Sequence, residues 1–293
     1  MDTRLNWPLE AAKQDDSERF LWNQAGSNLC LDFHGDPLSA RLVVFSDGNH
    51  HMALEASCQY FLKQNPDIND IFYATTPPRV ISESLLQGGV TLGNLTINIK
   101  PHVFISPEPI LDKLVDNELM TSHQAFARSR CNVLLIKKGN PKNIRGIADF
   151  LRDDVKLTLS NPVTEGASHM VYRETILTMA QEQNLNVTAF ENLLDKDSNK
   201  TLYGDNIHHR EVPQAIFSGQ ADVAVVYYHL ALRYATIFPE NFEFIELDTN
   251  NNVQTDYHIG LIGDGGEWGQ QFLEFVLSEN AMNIYKKHGL TNC

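Results

Sequence analysis

Two hydrophobic periods alternate along nearly the whole chain, and this alternation most constrains what it can fold into. Short, fully apolar runs stand at Leu42-Val-Val-Phe45, Ile71-Phe-Tyr-Ala74 and Val103-Phe-Ile105. Runs this short read as strands covered on both faces. Between them, apolar residues recur at helical spacing: Leu54, Cys58, Phe61 and Leu62 stand at i, i+4, i+7 and i+8. Asn65-Pro66 and Gly88-Gly89 end the intervening helices. Strand, polar turn, helix and strand again is the pattern of an α/β sheet.

The second half repeats it. Strands are expected at Cys131–Ile136, Val155–Leu159, Ala221–Tyr227, Phe242–Leu247 and Tyr257–Ile262. The breaker Lys138-Gly-Asn-Pro141 and a short helix over 144–152 separate the first two. A helix opening at Val163-Thr-Glu-Gly166 carries Met170, Val171, Leu177 and Ala180, and another over 209–218 stops at Gly219. One last helix, with Trp268, Phe272, Phe275 and Val276 on one face, runs toward Gly289. Residues 1–38 read as a polar arm that packs on the domain, with scattered Trp7, Trp22 and Phe33. The polar stretch Asp248–Thr255 reads as an exposed loop.

Composition narrows the function. The chain has 293 residues, 42% of them apolar and 20% charged, with a formal charge of −14. Such a balance disfavours a nucleic-acid partner, which needs a basic face to displace phosphate counterions. It leaves a small anionic ligand open, because a cleft has its own local field. No apolar run approaches the roughly 18 residues of a membrane-spanning helix, and the N-terminus as it stands is no secretory signal. Cys30, Cys58, Cys131 and Cys293 form no CxxC pair, so they read as buried or idle thiols, with disulfides open only if the protein is exported.

Ligands of open α/β sheets sit beyond the carboxyl ends of strands, where helices begin and unpaired N–H groups collect. The junctions of this kind are Ser46-Asp-Gly-Asn49-His50, Thr75-Thr76, Thr164-Glu-Gly-Ala-Ser168 and His208-His209-Arg210, together with the strand end Tyr227-Tyr228. The adjacent pairs His50-His51 and His208-His209 diverge by about 100° on a helix, so neither is expected to clamp one ion.

These junctions, with Leu42-Val-Val-Phe45, Pro101-His-Val-Phe-Ile-Ser106, Lys138-Gly-Asn-Pro141, Ser218-Gly-Gln-Ala-Asp-Val-Ala-Val-Val-Tyr227 and the ending Phe272-Leu-Glu-Phe-Val-Leu-Ser278 and Lys287-His-Gly289, are similar to the type II periplasmic solute-binding proteins. The resemblance spans about residues 41–290 and is closest to the molybdate-binding branch. It implies a two-lobed α/β fold with the ligand cleft between the lobes. Lobe one would comprise 39–128 and 248–293, lobe two 129–247, and residues 1–38 an arm. It also implies a monomer in the periplasm that delivers a small ligand to the membrane permease of an ABC transporter. No cofactor is implied, and no enzyme.

Carried over by position, the ligand set is Ser46, Asn49, His50, Thr75 and Thr76 in lobe one, and Gly166, Ala167, Ser168, His209, Arg210 and Tyr227 in lobe two. These donors suit a tetrahedral oxyanion of the molybdate, tungstate or sulfate type. Asn49 stands where the branch usually has serine, and His209 where it usually has valine. Those departures feed a second reading, because His50, Glu108, Tyr227 and Tyr228 resemble the ligands of ferric-ion-binding proteins of the same fold. A cytosolic ligand sensor of this fold is a third possibility, although residues 1–38 hold no helix-turn-helix. The chain carries no GxSxG, HExxH or P-loop signature of an enzyme.

Overall fold

The computed structural model describes Leu5 and residues 32–92, 95–195, 198–205, 207–248 and 252–293. The expected arm 1–38 therefore lies outside the described residues except for Leu5 and 32–38, and so does Cys30.

In chain order the elements begin with β1 (Phe33–His34), β2 (Leu42–Ser46), α1 (His51–Gln64), β3 (Ile71–Ala74), α2 (Pro78–Gln87), β4 (Val90–Leu92), β5 (Leu95–Ile97), β6 (Val103–Pro107), α3 (Glu108–Asp116) and β7 (Met120–Ser129). Then come β8 (Asn132–Lys137), β9 (Leu157–Leu159), α4 (Gly166–Glu182), α5 (Val187–Leu193), β10 (Thr201–Tyr203), α6 (His208–Ser218), β11 (Val223–Tyr227), α7 (Tyr228–Ile237) and β12 (Phe242–Glu246). The chain closes with β13 (Asp256–Ile262), α8 (Gly266–Val276), α9 (Glu279–Lys287) and β14 (Leu290–Thr291).

The chain divides into two compact units. Lobe one holds the described residues up to Arg128 and the segment Asp256–Cys293, while lobe two holds Ser129–Thr255 together with Leu5. Lobe one is thus discontinuous in sequence, and the return to it falls at Thr255–Asp256.

Lobe one carries a seven-stranded sheet in the order β1-β3-β2-β6-β13-β7-β14. Strands β3, β2 and β6 are mutually parallel, so their carboxyl ends share one edge. Leu42 and Val44 join one core with Leu54, Phe61, Phe272 and Tyr285, from α1, α8 and α9. Val43 and Phe45 join another with Ile81, Leu111 and Leu114, from α2 and α3. Successive side chains of a strand point to opposite faces, so β2 is apolar at every position because both of its faces are covered.

Lobe two carries a five-stranded sheet in the order β10-β9-β11-β8-β12. Here β10, β9 and β11 are parallel, while β8 runs antiparallel to β11 and β12. Its centre is Val133–Ile136 and Val223–Val226, all buried.

Three local readings change. The segment expected as a helix over 144–152 is a single 3₁₀ stretch, Ile147–Leu151. The single closing helix is two helices, separated at Leu277-Ser278, where the Ser278 side chain accepts from the Ala281 N–H and starts α9. The helix expected from 209 begins at His208. Among the described residues no helix is long and apolar enough to cross a membrane.

Candidate functional site

The rim of lobe one is built by the turns that follow its three parallel strands. After β2 the chain turns through Asp47, whose carboxylate accepts the Asn49 N–H at 2.8 Å and caps the 3₁₀ turn Gly48–His50. Ser46 donates its hydroxyl to the Asp47 carbonyl at 3.0 Å and stands 3.1 Å from His50 Nε2. His50 Nδ1 lies 3.1 Å from the Tyr285 hydroxyl. Both ring nitrogens of His50 are thus engaged inside the lobe. Burial, and secondarily the neighbouring His51, pushes the His50 imidazole down to about 3. It is therefore a neutral ring at physiological pH, tying α9 to the first loop.

After β3, Thr75 turns inward: its hydroxyl donates to Asp32 at 3.3 Å and lies 2.8 Å from His34 Nε2. Thr76 follows with a fully buried hydroxyl that has no hydrogen-bond partner among the described residues. Near the end of β6, the Ser106 hydroxyl is in the same state. Asn49 is half-buried at this rim. Glu108 opens α3 and faces the His258 region of its own lobe.

The rim of lobe two mirrors this plan. After β9, the Ser160 hydroxyl is buried without a partner among the described residues, while the Ser160 carbonyl meets His169 Nδ1 at 2.9 Å. Gly166, Ala167 and Ser168 form the first turn of α4, so their N–H groups have no carbonyl within the helix to bond. Ser168 turns its hydroxyl to the Glu165 carbonyl at 3.2 Å.

The Glu165 side chain does not face outward. Its Oε2 accepts the His208 N–H at 3.1 Å and lies 2.5 Å from His208 Nδ1. A second carboxylate, Glu211, takes the Ile207 N–H at 3.1 Å. The start of α6 is therefore already supplied with two negative side chains, which complement its dipole. Arg210 is the largest fully buried side chain among the described residues, 1% exposed in the first turn of α6. Tyr234 donates its hydroxyl to the His209 carbonyl at 2.8 Å.

Tyr227 ends β11 fully buried, its hydroxyl 2.9 Å from Thr255 Oγ1 and its ring stacked on His229 with centroids 5.2 Å apart. Tyr228 begins α7 and packs: the Arg130 guanidinium sits 4.5 Å above its ring and Phe244 meets it edge-on.

Of the sequence-derived residues, lobe one gathers Ser46, Asn49, His50, Thr75 and Thr76 at one sheet edge, and lobe two gathers Gly166, Ala167, Ser168, His209, Arg210 and Tyr227 at another. Within each set the roles differ. His50 and Thr75 are spent on neighbours of their own lobe, which leaves Thr76 as the hydroxyl not taken up. Of the metal set, His50 and Glu108 belong to lobe one and Tyr227 and Tyr228 to lobe two. His50 offers no open nitrogen, and Tyr228 serves as a packing surface.

Ser106 and Ser160 were not singled out from sequence. Their signal is a small hydroxyl residue directly after a buried strand run, Ile105-Ser106 and Leu159-Ser160. The three separated thiols described, Cys58, Cys131 and Cys293, are all unpaired.

The comparisons agree with this architecture. The sequence model of the family described as bacterial extracellular solute-binding protein matches residues 42–291. No curated protein matches the sequence. Among solved structures, the sulfate-binding protein SubI from Mycobacterium tuberculosis is similar in fold, with a TM-score of 0.64, 14% identity, and 85% of both chains covered. The periplasmic molybdate-binding protein of Azotobacter vinelandii aligns with a TM-score of 0.61 and 15% identity, over 85% of this chain and 98% of its own. Iron-bound HitA from Pseudomonas aeruginosa aligns with a TM-score of 0.55 and 11% identity, over 84% and 83%. At these identities the structures speak to the fold alone, whereas the family model spans most of the sequence. The chain belongs to the bacterial extracellular solute-binding proteins.

Proposed function

We propose that the protein captures a small tetrahedral oxyanion of the molybdate, tungstate or sulfate type and delivers it, in the periplasm, to the permease of an ABC transporter. The observation that carries this reading is that three of the buried hydroxyls left without partners among the described residues, Thr76, Ser106 and Ser160, stand at strand ends. Each stands where a parallel strand ends. A buried hydroxyl with no hydrogen bond costs about 1–3 kcal/mol. Neutral donors at strand ends, helped by the first amides of α4 and the buried guanidinium of Arg210, suit an anion that has shed its water. The sulfate- and molybdate-binding proteins of similar fold support the ligand class. An overall charge of −14 does not oppose it, because these donors act within a few ångströms and distant surface charge is screened.

Titration calorimetry with molybdate, tungstate, sulfate and phosphate tests the proposal. Saturable binding of at least one of them, weakened by about 100-fold in Arg210→Gln, is the expected result. No heat from any of the four at millimolar concentration overturns it.

A further inference from the structure

Glu165, His208 and His209 come from two separate helix starts. Glu165 precedes α4, which follows β9, and the two histidines open α6, which follows β10. Strands β9 and β10 are paired neighbours running parallel, so the two helix starts lie side by side. The result is a buried group, 8%, 2% and 1% exposed in that order, whose ligand atoms all lie within 4.8 Å of one another.

The geometry inside the group is unusual for a simple ion pair. His208 Nδ1 lies 2.5 Å from Glu165 Oε2, yet this nitrogen makes no hydrogen bond with any described residue. The ring N–H direction therefore does not aim along the short contact. The two atoms instead stand beside each other. Four-coordinate bonds of about 2.0–2.1 Å hold ligand atoms roughly 3.3 Å apart. The Glu165–His208 pair, 2.5 Å apart, would open by less than 1 Å to reach that spacing, and all the ligand atoms of the group lie within 4.8 Å of one another.

The surroundings fix the ligand atoms. His208 Nε2 is 3.1 Å from the Tyr172 hydroxyl. In the tautomer whose Nε2–H donates to the Tyr172 oxygen, Nδ1 is the lone-pair nitrogen facing Glu165. Outer partners of this kind orient metal-bound imidazoles. Glu165 Oε2 is held in place by the His208 N–H. The turn from Ile207, in extended backbone, into the helix lets consecutive histidines converge on Glu165, their rings nearly perpendicular with centroids 6.2 Å apart.

We propose that Glu165, His208 and His209 form a binding site for a divalent first-row transition ion, with Glu165 Oε, His208 Nδ1 and one His209 nitrogen as ligands. Two imidazoles and one carboxylate favour zinc, cobalt or nickel over magnesium or calcium. Three protein ligands leave one coordination position for water or an anion. The proposal stands apart from the oxyanion reading, since anion titrations use metal-stripped protein and metal titrations use buffer free of oxyanions.

The test is calorimetry of the metal-stripped full chain with Zn²⁺, and visible spectroscopy with Co²⁺. One equivalent of Zn²⁺ and the intense d–d bands of a four-coordinate Co²⁺ are expected, with no response to Mg²⁺. Glu165→Gln and His208→Gln should weaken Zn²⁺ at least 100-fold, and Tyr172→Phe about 10-fold. His123→Asn, in lobe one, should leave it unchanged. X-ray absorption of the zinc-loaded wild-type protein needs no variant to fold, and should show imidazole scattering from two ligands. No Zn²⁺ binding below about 100 μM overturns the proposal, as does binding that survives Glu165→Gln or a spectrum without two imidazoles. Glu165 and His208 would then be only a short buried ion pair.

Discussion

The His50 imidazole is held through both ring nitrogens by Ser46 and Tyr285. Its place in a polar loop after a strand marks it as a ligand, but the Tyr285 hydroxyl that occupies its Nδ1 comes from 235 positions away in the chain. That contact exists only in the folded lobe. The same holds for His208 and His209, which helical geometry alone sets apart but which the extended entry into α6 brings to one carboxylate. The places of Thr76 just after β3 and Arg210 in the first turn of α6 were legible, because strand ends and helix starts are marked locally.

Two predictions belong at this scale. The His50 imidazole sits at about 3 in the fold against an ordinary 6.5, so below pH 6.5 the unfolded chain binds a proton that the folded chain refuses. This contribution is fully present above pH 6.5 and is lost as pH falls from 6.5 toward 3, by about 1.4 kcal/mol per unit. Urea melts between pH 7 and 5 should show that slope, and His50→Gln should reduce it. Thr76→Val should lower oxyanion affinity about 10-fold or more while stability holds or rises, because the replaced hydroxyl has no partner among the described residues to lose. Loss of stability with unchanged affinity would assign Thr76 a packing role instead.

Among elements, the central strands were the most readable. Leu42–Phe45 and Val223–Val226 are apolar at every position because helices cover both faces in lobe one and the lobe-two strand lies at its sheet's centre. β7 escaped notice for the opposite reason: Met120–Ser129 alternates little and is exposed or half-exposed over much of its length. β1 has two residues and owes its existence to pairing with β3, a contact no local pattern announces.

The fit of β13 against β7 also depends on Gly260. A Cβ there would lie 2.3 Å from Met120 Sδ and 2.8 Å from the Ser122 carbonyl oxygen. The methionine tip can move, but the strand backbone cannot without breaking its register. Gly260→Ala should cost about 1–3 kcal/mol in urea unfolding. A stability change within about 0.5 kcal/mol would show that the pair separates easily. At the end of α6, Gly219 holds a φ of 77° and closes the helix. Gly219→Ala should cost about 1 kcal/mol by the same measurement, since the left-handed conformation disfavours a Cβ.

At the scale of the whole molecule, the chain leaves lobe one after Arg128 and returns to it at Asp256, where Arg128 and Asp256 form a paired ion contact across β7 and β13. Order and spacing of motifs made this family legible from sequence, and the match over 42–291 confirms membership. The ligand was left open by the sequence, because the proposed donors depend on which hydroxyls remain unpartnered after folding. Binding to the folded state alone raises stability by about 2.7 kcal/mol at a ligand concentration 100 times Kd. A molybdate- or sulfate-dependent rise in Tm is therefore expected beside the calorimetric signal.

The central claim is capture of an oxyanion by strand-end donors, and calorimetric titration of the metal-stripped protein with molybdate and sulfate tests it most directly. One saturable site per chain with Kd at or below micromolar, weakened about 100-fold in Arg210→Gln, is the expected result. Absence of heat with both anions, and with tungstate and phosphate, at millimolar concentration would contradict it.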